Sequence, residues 1–391
     1  MSEFEAQARK LFDALAFSAD EGRFHLPHAE AGGLSSWSSA YHALALAEFD
    51  PKLAAEELRT LFAVCQNEAG LVAASVEAAA AGTAGGVSPM ILPPVAAFAA
   101  ARLAKRHGDE YRELLESATR QLDAIWGERL PSDTDLPVIL HPFESGTPDS
   151  PLFDDLVAGD GEDRDDEVAS LARSAGACGY DPERALRAGH AFVVEDPCFC
   201  GWFLLALEAA RDAWDRLGAT DQLRKFEIRS RMIAEAIADR LWSDQDQIFV
   251  GFDRARGQSL RVVTSAGLLP AASQALAEDG RGRQAVARYL APGGSAFWGT
   301  HGISFNPIVR GPRTLGVQTH WRGNAASPVV QFWARLALER VGRDSDASVI
   351  RDQLGGVIES AGPCEWYDAV SGEPGGASPH GHASLICALA S

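Results

Sequence analysis

The sequence predicts an all-α protein, a toroid of helices that carries its functional groups at one end. Three observations make that prediction. Apolar residues recur at the helical period over about ten segments, each roughly 10–20 residues long. Strand-like text is confined to one candidate hairpin. The connections, rather than the helices, hold most of the proline, glycine, aromatic and acidic residues, the pattern of a rigid scaffold that presents chemistry on its loops.

In chain order, helices are expected at 37–48, 53–65, 93–107, 110–129, 199–217, 221–242, 266–277, 282–290, 329–341 and 346–360. In the first, Ala40, Tyr41, Leu44 and Leu46 gather towards one side. Pro93 and Pro94 suit a first helical turn, where an N–H would have no partner anyway. Residues 247–252 and 259–263, rich in Ile, Phe and Val, flank a turn-forming stretch and read as a hairpin. The acidic stretch 154–167, with Asp160, Glu162, Asp163, Asp165 and Asp166, reads as an exposed loop or lid. No segment has the composition of a linker, so 1–391 is expected to form a single domain. No short repeat is evident, although helix pairs can repeat in structure without repeating in sequence.

The chain of 391 residues is 46% hydrophobic and 23% charged, enough to bury a large core. Its formal charge of -19, from 54 acidic and 35 basic residues, argues against nucleic acid or an anionic membrane as partner. No long uncharged apolar window appears, and Met1-Ser-Glu-Phe-Glu5 is not a basic leader before an apolar core. The expectation is a cytoplasmic monomer or homodimer acting on a small molecule. The six cysteines are scattered. Cys198 and Cys200 are close, but a C-x-C pair without a second pair or a His at ligand spacing is a weak zinc signal. Buried thiols are expected, and no metal or organic cofactor is implied, since phosphate-loop and dinucleotide fingerprints are absent.

The most informative run is His141-Pro-Phe-Glu-Ser-Gly-Thr-Pro-Asp-Ser-Pro-Leu-Phe-Asp-Asp155. Glu144, Asp149, Asp154 and Asp155 sit among turn formers, with Gly146, Pro148 and Pro151 breaking any helix. Paired carboxylates on an anchored loop suit acid–base chemistry at a carbon–oxygen bond, where one group donates a proton and another withdraws one. The alternative is a solvated acidic loop. The apolar lead-in Leu136-Pro-Val-Ile-Leu140, with Phe143, Leu152 and Phe153, favours anchoring and hence a functional mouth.

Several further segments follow in a telling order: Trp37-Ser-Ser-Ala-Tyr-His42, Ser88-Pro-Met-Ile-Leu-Pro-Pro94, Val194-Glu-Asp-Pro197, Phe297-Trp-Gly-Thr-His-Gly302, His320-Trp-Arg-Gly323 and Cys364-Glu-Trp-Tyr-Asp-Ala-Val-Ser-Gly372. With the acidic run they resemble glycoside hydrolase family 63, especially its short bacterial mannosylglycerate and glucosylglycerate hydrolases, with trehalases as more distant relatives. The resemblance runs from about Trp37 to the C-terminus. It implies an (α/α)6 barrel in which one carboxyl protonates the leaving group and another, opening the C-terminal motif, activates water.

Carried over residue by residue, the resemblance makes Glu365 the base. The acid position holds Pro148, which carries no proton, and Asp149, one place later, becomes the candidate acid. Such a shift matters, because rates fall steeply when a donor is misplaced. Ser38 stands where the family has a sugar-binding Asp, and Leu152 replaces an Arg. Asn324-Ala-Ala-Ser-Pro328 has small residues in place of an aromatic wall, and His382 falls near a late Trp. Glu144, Trp321 and Arg322 are retained, with Trp37, Ser38, Tyr41, Trp298 and His382 as further candidates for contacting substrate. Two roles stay open for several of them. Arg322 is a substrate contact or an ion-pair partner of Glu144, Trp37 and Trp298 are pocket walls or core, and His320, in place of a Tyr, is a proton donor or a wall histidine. Asp196 is read as a helix cap.

Retaining the base while changing the walls favours a reused barrel. The leading expectation is dehydration, cyclisation or isomerisation of a small, less polar substrate admitted by Ala325 and Ala326, with Glu365 withdrawing a proton and Asp149 or His320 assisting departure of a hydroxyl. An inverting glycosidase acting on a small glucosyl or mannosyl conjugate is the second reading, and a silent ligand-binding protein the third.

Overall fold

The computed structural model describes residues 3–19, 22–77, 86–157, 162–292, 296–308 and 320–390. Its helices are α1 (Glu3–Leu15), α2 (Ser36–Leu46), α3 (Pro51–Cys65), α4 (Val95–His107), α5 (Arg112–Glu128), α6 (Glu162–Ala177), α7 (Pro182–Arg187), α8 (Pro197–Arg216), α9 (Thr220–Arg240), α10 (Gln274–Asp279), α11 (Arg281–Tyr289), α12 (Pro328–Arg340), α13 (Asp344–Ala361) and α14 (Leu385–Ala390). Short strands decorate the connections.

The helices start where local chemistry satisfies their free N–H groups. Asp50, Asp196 and Ser327 each accept a backbone N–H of the first turn, and a proline follows each of them at the start of α3, α8 and α12. α2 has Ser35 in the same capping role. The reading of Asp196 as a cap therefore describes its position.

Six inner elements close a ring. α2 packs on α4, α4 on α8, α8 on the 3₁₀ turn Pro270–Ala272, that turn on α12, α12 on α14, and α14 back on α2. The outer layer is formed by α3 against α2, α5 against α4, α9 against α8, α11 behind the 3₁₀ turn, and α13 against α12 and α14. This is an (α/α)6 barrel. Inner helices are apolar nearly all round: every residue of α2, and all of α8 from Pro197 to Glu208, is buried.

Three expectations are corrected. The stretch 266–277 is not one helix. Ser265–Leu268 and Pro270–Ala272 are 3₁₀ turns, and only α10 follows as α-helix, because Pro270 lacks the N–H that a continuous helix would use. The acidic excursion is not a loop throughout: from Glu162 it forms α6, with Glu162, Asp163 and Asp165 in the first turn where the helix dipole favours negative charge. Asp160 lies outside the described residues. The hairpin is real but shorter, Gly251–Asp253 pairing with Gln258–Leu260, while Ile248–Phe249 pairs instead with Trp242–Ser243. α1, α6, α7 and α14 were not expected. All six cysteines are free and buried, and no helix among the described residues is long and apolar enough to cross a membrane.

Candidate active site

Glu365 follows α13 on a turn that leads into the strand Trp366–Asp368, which pairs with Ala325–Ala326 on one side and Pro374–Gly375 on the other. This small sheet fixes the carboxylate from two directions. Ala377 N–H donates to its Oε2 at 3.0 Å, and the backbone N–H of Glu365 donates back to Ala377 O at 3.0 Å. Gly376 makes this approach possible: at φ 73°, a Cβ there would fall 2.3 Å from Oε2. The other oxygen, Oε1, lies 2.8 Å from His320 Nδ1. Burial works against ionising Glu365, but the bonds from His320 and Ala377 and the nearby histidine charges win, holding its pKa down to about 2. A carboxylate only accepts, so Nδ1 carries the imidazole proton and Nε2 is the basic nitrogen. Nε2 has no hydrogen-bond partner among the described residues. The glutamate side chain keeps 27% of its surface open.

Asp149 lies on the 141–155 loop, where Arg322 Nε donates to its Oδ1 at 2.9 Å. The same guanidinium grips Asp154 with both terminal nitrogens. Arg164, from the first turn of α6, lies 3.4 Å from Asp154 and 3.9 Å from Asp149. Hydrogen bonds donated to Asp154 and to Asp149 raise the Arg322 pKa further above its already high ordinary value, so it is a fixed cation.

Aromatic side chains join these loops to the inner helices. His320 stacks on Trp321 at 4.1 Å and 14°, and Trp321 stacks on Trp333 of α12 at 6.0 Å and 7°. Trp333 Nε1 donates to Tyr41 OH at 2.8 Å, and Tyr41 meets Trp37 edge-on at 4.9 Å. Trp37 in turn packs under the acidic loop at Gly146, whose φ of 76° and missing side chain it needs: a Cβ would sit 2.6 Å from the indole.

Behind Glu365 lies a buried histidine group. His380 meets His382 at 4.5 Å, and His382 meets His42 at 6.1 Å and Tyr41 at 5.5 Å. His42 and His25 flank the buried Glu57, which accepts from His25 Nδ1 at 2.7 Å. Burial lowers the pKa of His42 and His382, and takes His380 down to about 3. The sign follows. Above the ordinary histidine range neither the folded nor the unfolded chain protonates these groups. Below about pH 6.5 the unfolded chain takes up protons that the fold refuses, so stability falls as pH drops towards 3. Glu57, brought to about 2 by the histidines against its burial, adds a loss in the same direction below the ordinary carboxylate range. Asp196, raised to about 7 by burial, opposes this, as do Glu195 and Glu208, also raised by burial. Denaturant midpoints are therefore expected to fall between pH 7 and pH 5, and His382→Gln to flatten that fall. An unchanged midpoint across the range would contradict the assignment.

The sequence-predicted residues divide cleanly. Glu365, His320, Trp321, Trp37, Tyr41 and His382 form one continuous contact network, and Asp149 and Arg322 adjoin it. Ser38 lies beside Trp37, with its backbone N–H on the Ser35 cap. Trp298 stands apart in these contacts, its indole donating to Gln353 of α13 at 3.1 Å. Glu144 is completely buried, and Arg129, not Arg322, is its ion-pair partner, at 2.8 Å. Ala325 and Ala326 are covered strand residues and open no wall. Sequence reasoning missed Trp333, His380, Asp154 as an Arg322 partner, and Arg164. Trp333 was legible as an aromatic on an inner helix; the others depend on contacts between distant segments.

Fold and site together define a glycoside-hydrolase-like (α/α)6 barrel with an ionised carboxylate at its mouth. Residues 32–383 match the model of the mannosylglycerate hydrolase MGH1-like glycoside hydrolase domain, and the chain belongs to that family. It is 26% identical over 388 residues to a mannosylglycerate hydrolase of Rubrobacter radiotolerans, covering 86% of each chain. Its fold is similar to that of the family 63 mannosylglycerate hydrolase of Thermus thermophilus solved with glucose, at a TM-score of 0.85, 20% identity and 99% coverage of both chains. The neutral trehalase of Saccharomyces cerevisiae is more distant, with a TM-score of 0.63, 14% identity, and 98% of this chain matched to 79% of the trehalase.

Proposed function

We propose that this chain is an inverting glycoside hydrolase that cleaves a small glucosyl or mannosyl conjugate. The observation that carries the reading is the Glu365 carboxylate, fixed by His320 and Ala377, partly open, and held at about 2 so that it is ionised at any physiological pH. Inverting hydrolysis needs a base to take a proton from the water attacking the anomeric carbon, while an acid opposite protonates the leaving oxygen. The proton of the attacking water is taken by the Glu365–His320 pair acting as a unit, in which Glu365 stabilises the imidazolium. Asp149 is the carboxyl assigned to protonate the leaving oxygen, with Arg322 and Arg164 fixing its position. Similarity to the mannosylglycerate hydrolase of Rubrobacter radiotolerans supports a glycosyl conjugate of this size.

The test is release of hexose from mannosylglycerate and glucosylglycerate, followed by proton NMR, which also reads the anomer first formed. Release of the inverted anomer is expected; release of the retained anomer, or no hexose from either compound, would overturn the reading.

One observation favours a second reading, base-driven elimination, cyclisation or isomerisation of a small organic substrate. Pro148 occupies the family's acid position, and Asp149 is engaged by Arg322. Asp149→Asn separates the two. For hydrolysis it is expected to lower kcat by about 10²–10⁴-fold, with a smaller loss on an aryl glycoside whose leaving group needs no protonation. Equal losses on both substrates, or none, would remove Asp149 from the acid role.

A further inference from the structure

At the end of the barrel opposite the loops, the inner helices surround a cavity of ≈ 650 Å³. We propose that it binds a small organic monocarboxylate, with the carboxylate on Arg102 and the hydrocarbon body along the ring axis. Every inner element reaches this cavity: Leu44 from α2, Phe98 from α4, Leu205 from α8, Ala272 from the 3₁₀ turn, Phe332 from α12 and Ala388 from α14. It is therefore centred on the axis of the ring and is not a groove between two neighbours.

The basic side chains around it have hydrogen-bonding partners except at one place. Lys105 pairs with Asp212 at 2.7 Å, Arg106 with Glu48 at 3.0 Å, and Arg211 with Asp212 at 2.7 Å. Arg340 Nε donates to Ala272 O at 2.9 Å. Among the described residues, Arg102 alone of the basic side chains lining the cavity makes neither an ion pair nor a hydrogen bond; its guanidinium lies over the Phe98 ring at 5.5 Å. It is open to solvent yet crowded by protein, and that crowding lowers its pKa. A simple counter-charge to the helix dipole is a poor account of it. Arg102 lies more than a turn before the end of α4, and the last turn already carries Lys105, Arg106 and His107.

The lining also sets the class of ligand. A guanidinium without a hydrogen-bond or ion-pair partner, within reach of the Glu48 and Glu339 charges, suits a single negative charge. Glu48, Asp212 and Glu339 line the same cavity and would repel a second, which disfavours sulfate, phosphate and dicarboxylates. Phe98, Phe332 and Leu336 offer apolar surface to a hydrocarbon chain.

Hexanoate titrated calorimetrically into the full chain tests the proposal independently of the catalytic reading. Saturable one-to-one binding is expected, with a Kd on the order of 0.1–5 mM for so small a ligand. Arg102→Gln is expected to weaken it at least about tenfold, by loss of the charge-assisted bond. Glu365→Gln is expected to leave it unchanged, because the site lies at the other end of the barrel. Where Arg102→Gln does not fold, Arg102→Lys serves: intermediate affinity is expected, since a point charge replaces the planar fork. The proposal is overturned by absence of saturable binding, by equal affinity in wild type and either Arg102 variant, or by 1-hexanol or sulfate binding as tightly as hexanoate.

Discussion

Glu365→Gln is expected to reduce turnover by about 10⁴-fold while leaving the fold intact, the size of effect seen when the carboxylate orienting a catalytic histidine becomes an amide. The amide keeps the shape of the side chain and can still accept from Ala377. It cannot hold His320 with Nδ1 protonated and Nε2 basic, nor stabilise an imidazolium. The pH profile separates this account from direct action by the glutamate. A base held at about 2 would keep wild-type activity flat on the acid side down to very low pH. With the proton received at His320, an acid limb in kcat/KM is expected at a pH where Glu365 is still ionised. His320→Phe is expected to cost about as much as Glu365→Gln, and the double variant little more than either, because the two act as a unit. His320→Tyr restores the residue that the resembled family carries. If it retains substantial activity and loses the acid limb, Glu365 takes the proton directly and the imidazole only positions it. Full activity of Glu365→Gln would end every catalytic reading of the site, leaving the binding-protein alternative.

What the sequence disclosed, and what it withheld, follows from the range of the interactions involved. The barrel was legible because its helices are written locally: a cap, a proline, then a periodic apolar face, as in Asp50-Pro51 before α3 or Ser327-Pro328 before α12. Where a local signal was overridden, the cause is identifiable. Glu162, Asp163 and Asp165 are favourable first-turn residues, yet their polarity read as a loop and hid α6. The Ala- and Leu-rich text around Pro270 read as helix despite the missing N–H. α1 spaces Phe4, Ala8, Leu11, Phe12 and Leu15 at helical intervals, and that signal went unread. Glu365 was reached through its motif, but its tie to His320 spans 45 positions and has no local signature. The same is true of Arg164, which arrives at Asp154 and Asp149 only because α6 folds back over the acidic loop.

Replacing Glu144 is expected to be the most destabilising of the substitutions at the acidic loop, costing about 3–5 kcal/mol for Glu144→Ala, the range for breaking a buried ion pair from one side. Glu144 is wholly inside the protein. Its two oxygens accept from Arg129 at 2.8 and 3.2 Å, from Leu140 N–H at 2.8 Å and from Ile91 N–H at 3.2 Å. One carboxylate therefore joins the end of α5, the Ser88–Pro94 segment and the strand leading into the acidic loop. Removing it leaves the Arg129 guanidinium buried without its charge partner and two backbone donors unsatisfied. Arg129→Met alone strands the carboxylate and is expected to cost a comparable amount, whereas Glu144→Ala with Arg129→Met removes both charges and should cost clearly less than the sum of the two single changes. Urea unfolding of the four proteins measures this coupling. A frame residue of this kind lowers activity in proportion to loss of folded protein, with KM unchanged in the surviving fraction. A Glu144→Gln protein of near wild-type stability whose KM has risen would instead return Glu144 to the substrate contacts that the sequence suggested.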